Sequence, residues 1–166
     1  MKKLLMILFA VALTVSAFGQ ADTSKYVLTI KQGKYKKVGT QIFLLVPTTL
    51  ANNSNDTLKY LSMSCSWQEF YYVDNAKMSV DQVNCSGNDM IILTLAPHKS
   101  VDTEVRLVVG QITDTYKIKF KIGINLLKAT KNVNNVWNEY KGQQETKNII
   151  WSNAVTQVDM PDKEHK

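Results

Sequence analysis

Cysteine and histidine are scarce in these 166 residues, with two of each. Two cysteines are too few for a disulfide-dense miniprotein or a four-thiolate zinc site. Two histidines, His98 and the near-terminal His165, argue against a histidine-centred metal or hydrolase site. The seven glycines form no phosphate-cradling loop, and the three prolines form no linker. Nothing in the chain reads G-x-S-x-G, C-x-x-C or Asp-x-Asp-x-Asp-Gly. Those absences remove a nucleophile elbow, a redox thiol pair and an EF-type calcium loop. Little of the positive charge is arginine, and lysine is a poor reader of bases or bidentate phosphate. No like-charge block is long enough to be a tail, and no apolar run after the first twenty residues approaches a membrane span. Hydrophobic residues make up 45% and charged residues 20%, the balance of a globular chain with a sizeable core. One domain is the expectation for this length.

The first segment, Met1 to about Gln20, reads as a signal peptide. Lys2 and Lys3 form the positive region, Leu4 to about Leu13 the apolar core, and Val15-Ser-Ala17 or Ala17-Phe-Gly19 the small-residue cleavage site. Cleavage after Gly19 is favoured over cleavage after Ala17. The segment is short for a membrane anchor. A lipoprotein needs a cysteine straight after the apolar core, and the first cysteine is Cys65. Losing Lys2 and Lys3 takes the formal charge from +6 to +4. Export and lysine-dominated charge together exclude nucleic acid as the expected partner.

Much of the remaining chain alternates at period two, the pattern of half-buried strands. Tyr26–Gln32 is the first, ended by Gly33. Tyr35–Val46 follows, with Pro47 expected to end it because proline cannot donate to a ladder. Ala51–Asp56 is a dense turn segment. Thr57–Ser64 alternates, with Leu58 and Tyr60 on one face and Lys59, Leu61 and Met63 on the other. Trp67–Val73 reads as an aromatic strand, Met78–Val83 as a short one, and Asp89–Leu95 as an apolar one. In Val101–Val109 the face Val101, Thr103, Val105, Leu107 and Val109 opposes Asp102, Glu104 and Arg106. Tyr116–Ile122 places Tyr116, Ile118, Phe120 and Ile122 inward and Lys117, Lys119 and Lys121 outward. Asn148–Val158 closes the series. One stretch dissents: Val133, Val136, Trp137 and Tyr140 have helical spacing, but Asn132, Asn134, Asn135 and Asn138 favour turns. A loop with at most a short helical insertion is expected there.

The runs Asn53-Ser-Asn-Asp-Thr-Leu58, Met63-Ser-Cys-Ser-Trp67, Asn84-Cys85 and Leu95-Ala-Pro-His-Lys-Ser100 resemble the layout of bacterial immunoglobulin-like sandwich domains. Small bacterial proteinase-inhibitor sandwiches are similar in the order of their elements. The resemblance implies an all-β, antiparallel immunoglobulin-like β-sandwich of about 7–9 strands, spanning residues 20–166 after a signal peptide at 1–19. It implies a fold and no single activity.

Cys65 and Cys85 are expected to be bridged, because export places them in an oxidising compartment. Such a bridge would stabilise by roughly 3 kcal/mol on the chain-entropy account. Asp22, Asp56, Asp74, Asp81, Asp89, Asp102, Asp114, Asp159 and Glu145 sit mostly in or beside turns, where aspartates bond locally. A glycosidase would need two carboxylates about 5–9.5 Å apart across a cleft. The group Asn52, Asn53, Asn55 and Asp56 reads as a turn before it reads as a calcium site. His98 and Ser100 also belong to a turn. No catalytic residue, metal site or cofactor is therefore expected.

Trp67, Phe70, Tyr71, Tyr72, Trp137, Tyr140 and Trp151 are the residues able to make a surface. As sugar-stacking rings, Trp67, Tyr71, Trp137 and Tyr140 would be served by Gln68, Glu69, Asn138 and Gln143. Some of these rings must be core, since both faces of a strand cannot be fully solvent-exposed. Lys117, Lys119 and Lys121, with Lys31, Lys34, Lys36 and Lys37, read as edge protection ahead of an anionic-glycan or lipid contact. Asp56-Thr57-Leu58 resembles the short O-glycosylation acceptor of some Gram-negative exported proteins. The expected protein is a noncatalytic interaction or structural module, periplasmic or secreted, with an exported or cell-surface protein as partner. Carbohydrate binding and proteinase inhibition through an exposed loop are the alternatives.

Overall fold

The computed structural model describes residues 25–110, 117–130, 136–143 and 148–158. The signal segment, Asp22, Asp114, Tyr116, Asn132, Val133, Asn134, Asn135, Glu145, Asp159 and His165 lie outside them. Twelve strands are described: β1 (Tyr26–Ile30), β2 (Lys34–Val38), β3 (Gln41–Asn52), β4 (Leu58–Met63), β5 (Tyr71–Val73), β6 (Met78–Val80), β7 (Met90–Leu95), β8 (Ser100–Val109), β9 (Ile118–Phe120), β10 (Ile122–Asn125), β11 (Ile149–Trp151) and β12 (Val155–Gln157). A 3-10 turn spans Trp67–Phe70, and one helix, α1, spans Val136–Gln143. Every strand pairing is antiparallel. The fold is predominantly β and antiparallel. Its strand count exceeds the expected 7–9 because single sequence runs are broken into two, as at β9–β10 and β11–β12.

The five-stranded sheet is built on β3. On one side its first half pairs with β2 and its second half with β1; on the other it pairs with β8, which in turn pairs with β6. The expected strand Tyr35–Val46 is in fact a hairpin. Val38 opposes Gln41 across Gly39 and Thr40, and Gly39 has φ of 60°, as tight two-residue hairpin loops require. Pro47 does not end β3. Its carbonyl accepts from Lys31 N–H at 3.1 Å, beyond the β1 register that ends at Ile30–Thr48. In an antiparallel ladder a residue's N and C=O point to the same side. The missing proline N–H therefore faces the gap between β1 and β2, where no ladder bond is due.

The remaining strands form the β5–β10–β11, β9–β12 and β4–β7 sheets. Leu61 N–H donates to Leu127 C=O and Ala129 N–H to Lys59 C=O, both at 2.9 Å, which ties β4 to the segment after β10. The main core lies between these sheets and the five-stranded one. Leu28, Leu44, Val46, Leu50, Val105 and Leu107 meet Leu58, Ile118, Phe120, Ile122, Ile124 and Ile150 there. Both faces of β4 are used, as its alternation predicts: Leu58 and Tyr60 enter the main core, Leu61 and Met63 a second cluster with Phe70, Met90, Leu127 and Val136. Lys117, Lys119 and Lys121 are exposed, and Lys34, Lys36 and Lys37 lie on β2, an edge strand.

The expected strand Trp67–Val73 is a strand only from Tyr71. Asn88 Oδ1 accepts from both Cys65 and Ser66 N–H at 3.2 Å, and Glu69 N–H donates to Ser66 C=O at 2.9 Å. These anchors bend the chain into a 3-10 turn. The buried Gln68 amide then accepts from Arg106 N–H at 2.7 Å and donates to Asp81 C=O at 3.3 Å. The helix α1 is longer than the expected insertion. Val136 and Tyr140, one turn apart, pack on the second cluster, and Glu139 accepts from Thr130 N–H and Oγ1. That packing outweighs the poor helix propensity of asparagine.

Candidate functional site

The aromatic side chains divide between two cavities, and backbone placement decides which goes where. Across the three-stranded sheet, Tyr72 opposes Gly123, and Gly123 opposes Trp151. Directly opposed residues share a face, so the two rings flank a glycine. A Cβ at Gly123 would stand 2.6 Å from Ile149 Cγ2 and 2.9 Å from the Trp151 ring, so only glycine lets that indole settle over the strand. Trp151 still keeps 42% of its surface exposed.

On this side a cavity of about 220 Å³ is lined by Glu69, Phe70, Tyr72, Asn125, Leu127 and Tyr140. Tyr140 comes from α1 and makes edge-to-face contacts with Phe70 at 5.9 Å and Trp137 at 6.1 Å. Trp137 is 47% exposed. Four rings thus follow one another from the helix across the sheet: Trp137 and Tyr140 in contact, Tyr140 and Tyr72 on one cavity wall, and Tyr72 and Trp151 on either side of Gly123. Asn125 Oδ1 is committed to Asn148 N–H at 2.9 Å, while Glu69 is exposed.

Trp67 and Tyr71 do not join this face. They make an edge-to-face pair at 5.6 Å and line a second cavity of about 230 Å³ between β4–β7 and β3–β8. Tyr60 lines it too. Burial pushes the Tyr60 phenol pKa up; at Tyr71 burial does the same and the neighbouring Tyr60 adds to it. The four rings expected to act as one surface, Trp67, Tyr71, Trp137 and Tyr140, are thus split into pairs. Gln68 is buried and internally bonded, so it is not available to a ligand, and Gln143 donates to Lys128 C=O.

Cys65 and Cys85 are joined by a disulfide, with their Cα atoms 6.2 Å apart. It lies just past the Met63–Met90 end of the β4–β7 ladder and pins the loop after β6 beside the 3-10 turn. Asn52 belongs to no open cation site. It is buried, its amide donates to Asp56, Leu95 and Ala96 carbonyls, and its oxygen accepts from Ser54 N–H and Oγ. His98 has φ of 56° after Pro97 in a turn closed by Lys99 N–H on Ala96 C=O, and its ring meets Asn55 Oδ1 at 3.0 Å. Asp56-Thr57-Leu58 has Thr57 exposed and Leu58 buried. Among the described residues no three His, Cys, Asp or Glu side chains gather as a metal site would need. No helix among them is long and apolar enough to cross a membrane.

Sequence reasoning named the aromatic types but missed Tyr60 as a cavity residue and the role of Gly123. The first is signalled only as one face of an alternating strand. The second has no local signal, because it depends on which strands pair.

No family model and no curated protein matches the chain. Among solved structures it is similar to the yjhA protein from Bacillus subtilis, at 17% identity over 81% of this chain and 90% of that one, with a TM-score of 0.36. A likeness at that level assigns neither fold family nor activity.

Proposed function

We propose that the protein is a noncatalytic exported module, of the immunoglobulin-like β-sandwich kind, that binds an exported or cell-surface protein through its outer aromatic face. The observation that carries this reading is the series Trp137, Tyr140, Tyr72 and Trp151, with its two tryptophans 47% and 42% exposed. Large aromatic rings supply most of the energy at protein interfaces, and an exposed apolar patch marks a contact surface. The disulfide agrees with residence outside the reducing cytosol.

The experiment is site-specific photocrosslinking in the exporting host. A crosslinker at exposed Lys141 on α1 is expected to give a discrete protein adduct. The same crosslinker at Lys36, on the edge strand β2, gives none. Equal adducts from both positions, or none from Lys141, would contradict the reading. A glycan reading has one observation in its favour: exposed Glu69 lies beside Tyr72 and Tyr140 in the outer cavity. Saturable binding of a neutral oligosaccharide, abolished by Glu69→Ala, would establish it in place of the protein partner.

A further inference from the structure

The cavity between β4–β7 and β3–β8 shares only the Phe70 wall with the outer cavity, and its polar groups are the unusual part. Among the described residues neither the Tyr60 nor the Tyr71 hydroxyl has a hydrogen-bond partner, and neither is a fully buried atom, so both stay open to the cavity while their rings pack in or against the main core. A phenol open to a cavity and free of internal bonds can donate to a ligand there without first breaking a protein hydrogen bond. The walls are mostly apolar, from Leu50, Leu61, Leu93, Val101 and Ile124 with Trp67 and Phe70 beside them, and Ser62 and Thr103 add two hydroxyls. Two of them, Leu93 and Val101, are 36% and 40% exposed, which leaves an apolar rim open to solvent.

Size and charge narrow the occupant. A volume of about 230 Å³ is below the roughly 300–1,000 Å³ of drug-sized pockets, and a cavity of about 150 Å³ already holds benzene. Among the described residues the lining contains no lysine or arginine, so an anion would be desolvated without a counter-charge. Its one charged residue is Asp102, which is exposed and whose Oδ1 accepts from Thr49 Oγ1 at 2.6 Å. A cation therefore has no buried carboxylate to meet.

We propose that this cavity binds a small uncharged molecule of single-ring size, its apolar body against Trp67 and the aliphatic walls and its hydrogen-bond-accepting head on the hydroxyls of Tyr60 and Tyr71. Both phenols remain protonated donors throughout the physiological range, since burial raises their pKa values. A carbonyl oxygen in the cavity would find a phenol donor there, which a purely apolar pocket could not offer.

The test titrates the mature, disulfide-bonded protein with benzamide, following backbone amide shifts by NMR. Saturable shifts are expected at Tyr60, Trp67, Tyr71 and Val101–Thr103, with a dissociation constant of about a millimolar or tighter for a ligand this small. Toluene lacks the acceptor, benzoate adds a negative charge, and tetramethylammonium is a compact cation; each is expected to bind at least about fivefold more weakly. Among the described residues Tyr60→Phe and Tyr71→Phe remove no hydrogen bond, so both should fold with unchanged melting temperature. Each should weaken benzamide roughly two- to tenfold, the worth of one hydrogen bond. The proposal is overturned if benzamide gives no saturation, if its shifts fall at Asn125, Leu127 and Tyr140 instead, if toluene, benzoate or tetramethylammonium matches it, or if both phenylalanine variants bind it as the wild type does.

Discussion

At the scale of single residues, side-chain amides hold much of this molecule together. Asn153 bonds both the N–H and C=O of Ile30, at 2.9 and 3.1 Å, and Gln157 does the same at Gly33, at 3.0 and 3.2 Å. These pairs mimic a strand along the outer edge of β1, where a bare ladder would invite edge-to-edge association. Asn52 is the strongest such knot. Asn52→Ala would take the amide donor from the Leu95 and Ala96 carbonyls and leave Asp56 C=O to Ser54 Oγ alone, and is expected to lower stability by about 2–4 kcal/mol. Urea unfolding should show this as a lower midpoint with an unchanged slope. Tyr60 and Tyr71 make a second prediction, in alkali. Their folded pKa values lie above the ordinary value of about 10, so the unfolded chain ionises them first. Stability is intact below about pH 10 and falls as pH rises through that value towards the folded ones. Tyr71→Phe should flatten the loss between about pH 10 and 12, measured by urea midpoints against the wild type. An unchanged pH slope would show that Tyr71 carries no such linkage.

At the scale of elements, legibility followed how local the causes are. β8 was readable because Val105, Leu107 and Val109 alternate with solvent-facing partners, and their burial agrees. The same holds for Ile118, Phe120 and Ile122 against Lys117, Lys119 and Lys121. The β2–β3 hairpin was missed because Lys34–Val38 is an edge strand whose lysine-rich residues carry no apolar alternation. Pro47 misled because the rule that excludes proline from central strands holds only where the ladder needs its N–H. The 3-10 turn was invisible for another reason: Asn88, twenty-two residues beyond Ser66, sets it. The disulfide serves that same corner. It closes a separation of 20 residues beside the 3-10 turn without crossing the main core. Cys65→Ser or Cys85→Ser is expected to lower stability by about 2–4 kcal/mol while the chain still folds. The double variant should lose no more than either single, since each already removes the one bond. Calorimetry of the three variants checks both statements.

At the scale of the whole molecule, composition indicated the class of fold, and strand pairing determined where the site residues went. Trp67, Tyr71, Trp137 and Tyr140 were recognisable as surface-forming types. Their division into an inner and an outer pair was not, because it depends on Gly123 lying between Tyr72 and Trp151 and on α1 bringing Tyr140 over Phe70. The disulfide is consistent with a location outside the reducing cytosol, and the amide-guarded β1 edge and lysine-bearing β2 edge protect the sheet from edge-to-edge pairing; the exposed rings are the contact surface proposed above. The most direct test of that claim is the affinity of the mature protein for its crosslinked partner, measured for the wild type and for the Trp137→Ala, Trp151→Ala double variant. Two interface anchors of about 2 kcal/mol each predict at least a hundredfold loss of affinity with the β-type circular dichroism spectrum retained. An affinity unchanged by removing both rings, in a variant that keeps that spectrum, would contradict the account.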